Sequence, residues 1–419
     1  MPSPAPPASA QRRAFFTVVA AQFFSSLADN ALLIAAIGLL MEQHAPAWMA
    51  PTLRLLFYLS FVLLAVFAGA VADAMPKGRV IFITNLVKLG GCGLLLVQVH
   101  PLLAYALIGL GAAAYSPAKY GILPELLPPA ELIKANAWME VSTLFSILLG
   151  VWLGSVLLSA TSVLPQVGNT PATHAIALIS VAYFIAVLCA AAIPKHAASN
   201  TVALAHPRAL FRNFYHAFGV LWRDPEGQIS LTVTSLFWAV SAALQFIILR
   251  WAADTLYLPL AQAALLQVAV ALGMAAGAVA AARWVPMRHA LTVLPIGLVI
   301  GLTLLLFTWA SQVWVAVGLL FAMGALSGLL LVPMNALLQS RGQSLMHSGQ
   351  SVAVQNFNES LASLVLLAVY GGLLYVNAPL LPIIVGLSVL VIVVMLLAML
   401  RHSIRNRHRA VALDALAAT

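Results

Sequence analysis

The sequence predicts an all-α integral membrane protein: twelve transmembrane helices in two pseudo-symmetric six-helix bundles. Three observations predict it: a composition starved of charge, twelve apolar segments of membrane-crossing length, and an internal repeat. Of 419 residues 63% are hydrophobic, and only 20 basic and 11 acidic residues, 7%, carry charge. Soluble domains carry about 25%. So few charges cannot cover a water-soluble surface, and one hydrophobic core stops growing near roughly 250–300 residues. Soluble enzyme, nucleic-acid binder and disordered scaffold are all excluded on this ground. The formal charge of +9 does not point to a polyanion, because Lys and Arg in a membrane chain are placed to set orientation.

A membrane-crossing helix needs about 20 mostly apolar residues. Cutting the chain at charges, Pro/Gly clusters and polar runs gives segments at 14–41, 53–74, 79–99, 102–122, 135–160, 173–194, 228–250, 260–282, 289–311, 313–336, 350–374 and 379–400. The first follows Arg12 and Arg13 like a signal peptide, but it is too long and contains Asp29, so it stays a helix. Residues 1–13, Pro/Ala-rich with no apolar periodicity, are expected to form a disordered cytoplasmic tail. Orientation follows the cations. Arg12, Arg13, Lys77, Arg79, Lys119, Lys134, Lys195, Arg208, Arg212, Arg223, Arg283, Arg288, Arg341 and the arginines of the basic tail 401–419 fall on the side of the termini. Arg54 and Arg250 fall near the other side, and Lys88 lies inside the third span. By the positive-inside rule both termini are cytoplasmic. Cys92 and Cys189 lie in apolar runs and read as small core residues.

The longest interruption, 195–227, separates a bundle over 14–194 from one over 228–400. Within it Leu210, Phe214, Phe218 and Leu221 recur at helical spacing with Arg208, Arg212 and Arg223 around them, which predicts an amphipathic helix lying on the cytoplasmic membrane face. The halves echo one another. GAVADAMPKGR from Gly69 has its counterpart in GAVAAARWVPMR from Gly277, 208 positions later, and Pro117 and Pro333 are 216 apart. Similar offsets argue for duplicated halves, the build of secondary transporters with a site near the midplane.

Gly69-x-x-x-Asp73 followed by Lys77-Gly78-Arg79 resembles the signature loop of the major facilitator superfamily. The resemblance implies a conformational latch of Gly69, Asp73, Lys77 and Arg79, with Asp73 holding the inward-closed state; the second copy has Ala281 where the acid should be. A narrower resemblance covers nearly the whole chain. AQFFSSLADNALL, GAAAYSPAKYGILPELLPPAELIKANAWMEVST, TSLFWAVSAALQF and VPMNALLQSRGQSLMHSGQSVAVQNFNES are similar to the bacterial lysophospholipid transporter family, LplT. It implies flipping of lysophospholipids such as lyso-phosphatidylethanolamine and lyso-phosphatidylglycerol to the cytoplasmic leaflet of the bacterial inner membrane for reacylation. Some relatives carry acyltransferase and acyl-carrier-protein synthetase domains on the same chain; this one is expected to need a separate partner.

Polar residues inside spans nominate the substrate site. Gln22, Ser25 or Ser26, and Asp29 form one stripe on the first span, with Asn30 beside Asp29. An ionised carboxylate at that depth must face a cavity or a partner. The family resemblance implies that Asp29 receives an ethanolamine ammonium or, in an empty carrier, a cation from the other half. Asn136, Glu140 and Thr143 form a second stripe, with Glu140 open between lining the pathway and pairing with Lys119 or Lys88. Lys88 is expected to snorkel or pair with an acid. Gln355, Asn356, Asn358 and Glu359 form a third group, Gln355 and Glu359 one turn apart. Relatives carry an Arg where this sequence has Gln245, which weakens a direct lock on Asp29 and leaves Arg250 as an interfacial anchor.

No HExxH, Cys-x-x-Cys or two-His-carboxylate spacing appears, so no metal is expected, and no Walker, GxGxxG or GxSxG context occurs, so neither cofactor nor ATP motor is expected. The chain reads as a gradient-driven carrier, not an enzyme, with its site exposed to membrane lipids. The rival is a proton-coupled exporter of drugs or metabolites with Asp29 as proton acceptor. A membrane-embedded acyltransferase is disfavoured because no His/Asp pair lies at an interface.

Overall fold

The computed structural model describes residues 8–45, 49–161, 170–194, 207–258, 260–376 and 378–417. Among these the regular elements are all helical: α1 (Ala8–Glu42), α2 (Met49–Ala74), α3 (Lys77–Leu96), α4 (Pro101–Gly121), α5 (Leu123–Leu126), α6 (Leu132–Thr161), α7 (Pro171–Ala191), α8 (Pro207–Arg223), α9 (Pro225–Leu256), α10 (Leu260–Trp284), α11 (Leu294–Phe307), α12 (Val313–Leu345), α13 (Ser348–Tyr375) and α14 (Leu380–Ala417). Among the described residues twelve stretches are long and apolar enough to cross a membrane, and each overlaps one predicted from the sequence. Several ends differ: the seventh span runs over Pro225–Leu256 where 228–250 is predicted, the tenth continues to Leu345 past the predicted 336, and both tails depart from expectation. The tail expected to be structureless is helical from Ala8 onward, residues 1–7 lying outside the described part, and α14 carries the basic tail as helix to Ala417. Of the expected linker, residues 195–206 lie outside the described part.

By contacts the chain divides into one compact unit of Met1–Val220 with Gly342–Ser360, and a second of Leu221–Arg341 with Leu361–Thr419. In the first, α1 packs on α6 and α7, α2 on α4, and α3 on α4 and α7. Leu32, Leu39, Leu95, Ile108 and Tyr183 fill the interior. Gly150 and Gly154 of α6 sit against the backbone of α1 at Leu27 and Ala31, the small-residue seam that lets membrane helices approach closely. In the second unit α9, α11, α12 and α14 share a core in which Trp251 lies 4.3 Å from Phe307. Gly273 and Gly277 of α10 sit against the α12 backbone at Phe321 and Ala325, and Gly324 and Gly328 of α12 sit against the α10 backbone at Val270 and Met274, a reciprocal seam.

The outward faces are apolar. Leu63, Trp152, Leu178 and Phe184 in the first unit, and Leu302, Val389 and Leu397 in the second, are each more than half exposed. Soluble monomers rarely expose apolar patches this extensive; in a bilayer the same side chains are solvated by lipid, while each helix satisfies its own backbone.

α8 forms where the spacing predicted it, but its apolar stripe is covered by protein. Leu210, Phe214, Ala217 and Leu221 are buried. Leu210 packs with Ala70 of α2, Phe211 meets Phe67 at 5.7 Å, and Phe214 meets Phe357 of α13 at 5.6 Å. The break before α9 is built by Asp224-Pro225-Glu226. Asp224 caps the helix by accepting from Gly227 N at 2.8 Å, and Pro225 occupies the first turn, where its missing N–H is harmless.

Candidate functional site

The first unit holds a charged cluster within its apolar interior. The α1 stripe places Asp29 toward α3 and α7. Lys88 Nζ donates to Asp29 Oδ2 at 2.7 Å and to Ser25 Oγ at 3.0 Å, and Tyr183 Oη donates to Asp29 Oδ1 at 2.5 Å. Lys88 is fully buried. The cation facing Asp29 therefore comes from α3 of the same unit, where the family resemblance had placed it in the other half. Lys88 pairs with an acid rather than snorkelling, as one of the two sequence expectations had it. Charges at this depth persist only when paired and hydrogen-bonded. Gln22, one turn before Ser26, donates to Thr143 Oγ1 on α6 at 3.0 Å, joining two of the predicted stripes. Asn30 turns back onto its own helix, donating to the Ser26 carbonyl at 2.8 Å.

A second group lies on α4 and α6. Glu140, buried, accepts from Tyr120 Oη at 3.3 Å. Of the two lysines considered for it, Lys88 is committed to Asp29, and Lys119 lies with Nζ 4.1 Å from the Tyr120 ring centroid and 5.9 Å from that of Tyr115. The Tyr115 ring also receives Lys88 Nζ at 4.9 Å, and Tyr115 Oη is buried without a hydrogen-bond partner among the described residues. An orphaned buried hydroxyl costs about 1–3 kcal/mol. Asn136 donates to the Leu132 carbonyl of its own helix.

The first turns of α13 complete the unit's polar set. Gln355 Nε2 donates to Glu359 Oε1 at 2.7 Å, so the one-turn spacing does place them side by side. Asn356 donates instead to Ser116 Oγ of α4 at 2.9 Å, and Asn358 to the Val354 carbonyl.

The signature loop is a buried relay at the end of the unit. Asp73, wholly buried, accepts from the backbone N–H groups of Gly349 and Gln350, each at 2.9 Å, capping the start of α13 where the helix dipole favours an anion. Lys77 Nζ contacts Asp73 Oδ1 at 3.3 Å and Glu125 Oε1 at 2.5 Å, and Ser348 Oγ donates to Glu125 at 3.3 Å. Gly69 allows the approach: a Cβ there would stand 2.7 Å from Ala353 Cβ and 3.0 Å from Gln350 Cα. Arg79 is exposed and stands outside the relay.

In the second unit the Gln245 carbonyl accepts from Gln267 Nε2 at 3.3 Å. Arg250 pairs with Asp254 at 3.4 Å, one turn along its own helix. Arg341, at the end of α12, grips Asp224 through Nη2 and through Nε at 3.1 Å and approaches Glu226 at 3.6 Å.

Tyr183, Tyr115, Tyr120, Glu125 and the Asp224–Arg341 pair were not nominated from the sequence. A tyrosine amid VAYFIA was the available signal for Tyr183, since a buried phenol needs a hydrogen-bond partner.

Comparison with known proteins bears on what this arrangement serves. Residues 18–366 match the family model of the Major Facilitator Superfamily. Proteins named lysophospholipid transporter LplT from Yersinia pestis (strain Pestoides F) and Yersinia pseudotuberculosis serotype I (strain IP32953) are each 39% identical over 368 residues, 88% of each chain. Among solved structures, the human organic anion transporter TETRAN has a TM-score of 0.73 at 16% identity, over 94% of this chain and 100% of that one. The E. coli fucose:proton symporter has a TM-score of 0.72 at 14% identity, over 94% and 99%. At such identities these structures establish the fold, a multi-pass helical membrane architecture. The extent and level of the sequence likeness go further: this chain belongs to the LplT family within the Major Facilitator Superfamily.

Proposed function

We propose that this protein is a secondary transporter that moves lysophospholipids across the bacterial inner membrane to the cytoplasmic leaflet, where a separate acyltransferase and acyl-carrier-protein synthetase reacylate them. The carrying observation is the likeness over 88% of the chain to relatives named as lysophospholipid transporters. The geometry supports it with a buried set of both charge signs, Asp29 with Lys88 and Glu140 near Lys119, suited to a head group that itself carries both signs.

In this reading both termini are cytoplasmic, as the cation distribution argues. The cavity opens sideways to lipid, so the acyl chain stays in an apolar setting while the head crosses. In the empty carrier the pair Asp29–Lys88 keeps each charge neutralised. A substrate ammonium then competes with Lys88 for Asp29, so binding exchanges one ion pair for another and avoids stranding a charge. Gln22, Asn30, Glu140, Gln355, Asn356 and Glu359 supply the remaining polar lining of the first unit, and Gln245 is the lining residue proposed for the second. Asp73, with Gly69 and Lys77, latches the inward-closed state by capping α13, and its release lets the cycle proceed; Arg79 stands outside this set.

The test is flipping of head-group-labelled lyso-phosphatidylethanolamine by purified protein in proteoliposomes, with and without a proton gradient. Protein-dependent movement of intact lysolipid is expected. Absence of movement under both conditions, with proton-driven efflux of a soluble drug instead, would replace this reading by the exporter; a product of altered mass would indicate an enzyme.

A further inference from the structure

We propose that the Lys119 ammonium and the Tyr115 hydroxyl form an anion subsite that takes the phosphate of the transported lipid. The proposal rests on the lysophospholipid reading above and deepens it, giving Lys119 a specific partner and adding Tyr115.

The two lysines near Tyr115 differ in how their donors are spent. Lys88 gives hydrogen bonds to Ser25 and Asp29 and lays its remaining side on the Tyr115 ring at 4.9 Å. Lys119 lies over rings, Tyr120 at 4.1 Å and Tyr115 at 5.9 Å, with the Glu140 carboxylate in its electrostatic reach, and no oxygen among the described residues accepts a hydrogen bond from it. An ammonium has three donors, and buried donors ordinarily meet acceptors. Glu140 is the nearby acid, and its carboxylate is held by the Tyr120 hydroxyl. Lys119 is 8% exposed and Tyr115 4%, so both side chains are largely withdrawn from solvent, the Tyr115 hydroxyl completely.

Tyr115 Oη is the second unspent donor of the same neighbourhood. An unmatched ammonium and an unmatched phenol on one α4 segment have a common complement: an oxygen-rich anion that accepts from both. A phosphodiester has two non-bridging oxygens for the purpose, and hydrogen bonds from charged donors to such oxygens are the strong ones. Asp29 and Glu359 remain for the cationic end of a zwitterionic head. This division of labour makes the phosphate the element common to ethanolamine and glycerol lysolipids.

The experiment compares ligands that share a tail and differ in phosphate. Detergent-purified full-length protein is titrated with 1-oleoyl lyso-phosphatidylglycerol, 1-oleoyl lyso-phosphatidylethanolamine, monooleoylglycerol, decyl phosphate, decanol and inorganic phosphate. Wild type is expected to bind both lysolipids about tenfold or more tighter than monooleoylglycerol, and decyl phosphate tighter than decanol. Lys119→Met should abolish both preferences and leave monooleoylglycerol binding unchanged. Lys119→Arg should restore them to within about threefold, and Tyr115→Phe should weaken phosphate ligands about three- to tenfold. Inorganic phosphate alone is expected not to compete, since the subsite is reached from lipid; competition by it would reassign the subsite to a free anion. Retained phosphate preference in Lys119→Met overturns the proposal, as does an equal loss for monooleoylglycerol that Lys119→Arg fails to repair. If decyl phosphate binds in a Lys119-dependent way while neither lysolipid binds, the subsite stands and the lysolipid reading falls.

Discussion

Lys88 and Asp29, 59 positions apart in the chain, meet at 2.7 Å inside the first unit, on helices α3 and α1, with Tyr183 of α7 closing the other carboxylate oxygen. Three helices are thereby tied by one carboxylate. A charge pair in an apolar bundle is poor value as a stabiliser, because desolvation offsets much of the attraction, yet removing one partner strands the other.

That asymmetry sets the first prediction. Lys88→Met should destabilise the folded protein by about 3–5 kcal/mol, since Asp29 would be left uncompensated. Asp29→Asn should also cost stability by stranding Lys88, and should lose most transport. The double variant Asp29→Asn/Lys88→Met is expected to recover thermal stability in detergent but not flipping. Recovery of both would reduce the pair to a structural tie.

The second prediction concerns the relay. Asp73→Ala removes the acceptor for two backbone N–H groups at the start of α13 and a partner of Lys77. It should slow lysolipid turnover in proteoliposomes more than it weakens equilibrium binding, by about one to two orders of magnitude in rate if capping and ion pair together contribute roughly 1–3 kcal/mol. Gly69→Val should do the same by steric means, because the space beside Ala353 and Gln350 is already filled. A parallel fall of binding and turnover in both variants would dismiss the latch.

The spans were legible because membrane helices announce themselves by length and apolarity, and each predicted segment has its helix. The buried relay at the loop was legible in part, since Gly69, Asp73 and Lys77 are local in sequence. Its remaining members, Glu125 and the N–H groups of Gly349 and Gln350, lie 48 and 276–277 positions from the groups they meet. No periodicity carries such a pairing. The same distance effect hid Tyr183, which reaches Asp29 over 154 positions. Stripe reasoning nominated Gln22 and Thr143 separately but could not join them, and it grouped Asn356 with Gln355 although the two turn to different partners.

The third prediction follows from the α8–α9 junction. Asp224 accepts from Gly227 N and is gripped by Arg341, so one carboxylate serves a helix cap and a two-point ion pair. Asp224→Ala should lower stability by about 2–4 kcal/mol, and Asp224→Asn, which keeps a capping oxygen, by distinctly less. Thermal unfolding of detergent-purified variants checks the order. Equal losses would mean that the cap contributes little beside the ion pair.

The last prediction concerns head-group discrimination by Gln355 and Glu359. Their hydrogen bond of 2.7 Å places the Gln355 amide against one oxygen of Glu359. The amide thus orients the carboxylate, and an ionised carboxylate can only accept. An ethanolamine ammonium offers donors to it, whereas a glycerol head offers hydroxyls without charge. Glu359→Gln should therefore weaken transport of lyso-phosphatidylethanolamine more than that of lyso-phosphatidylglycerol, by about 1–3 kcal/mol of discrimination for the lost charge-assisted bond. Gln355→Ala leaves Glu359 charged but removes the amide donor against one of its oxygens, so it should impair both lipids by similar, smaller factors. Competition between the two lysolipids in one flipping assay reads the difference directly. Equal losses for both lipids in Glu359→Gln would assign Glu359 to a general cation site or a structural pair, and discrimination between head groups would then have to lie elsewhere, with Asp29 as the remaining acid within the first span.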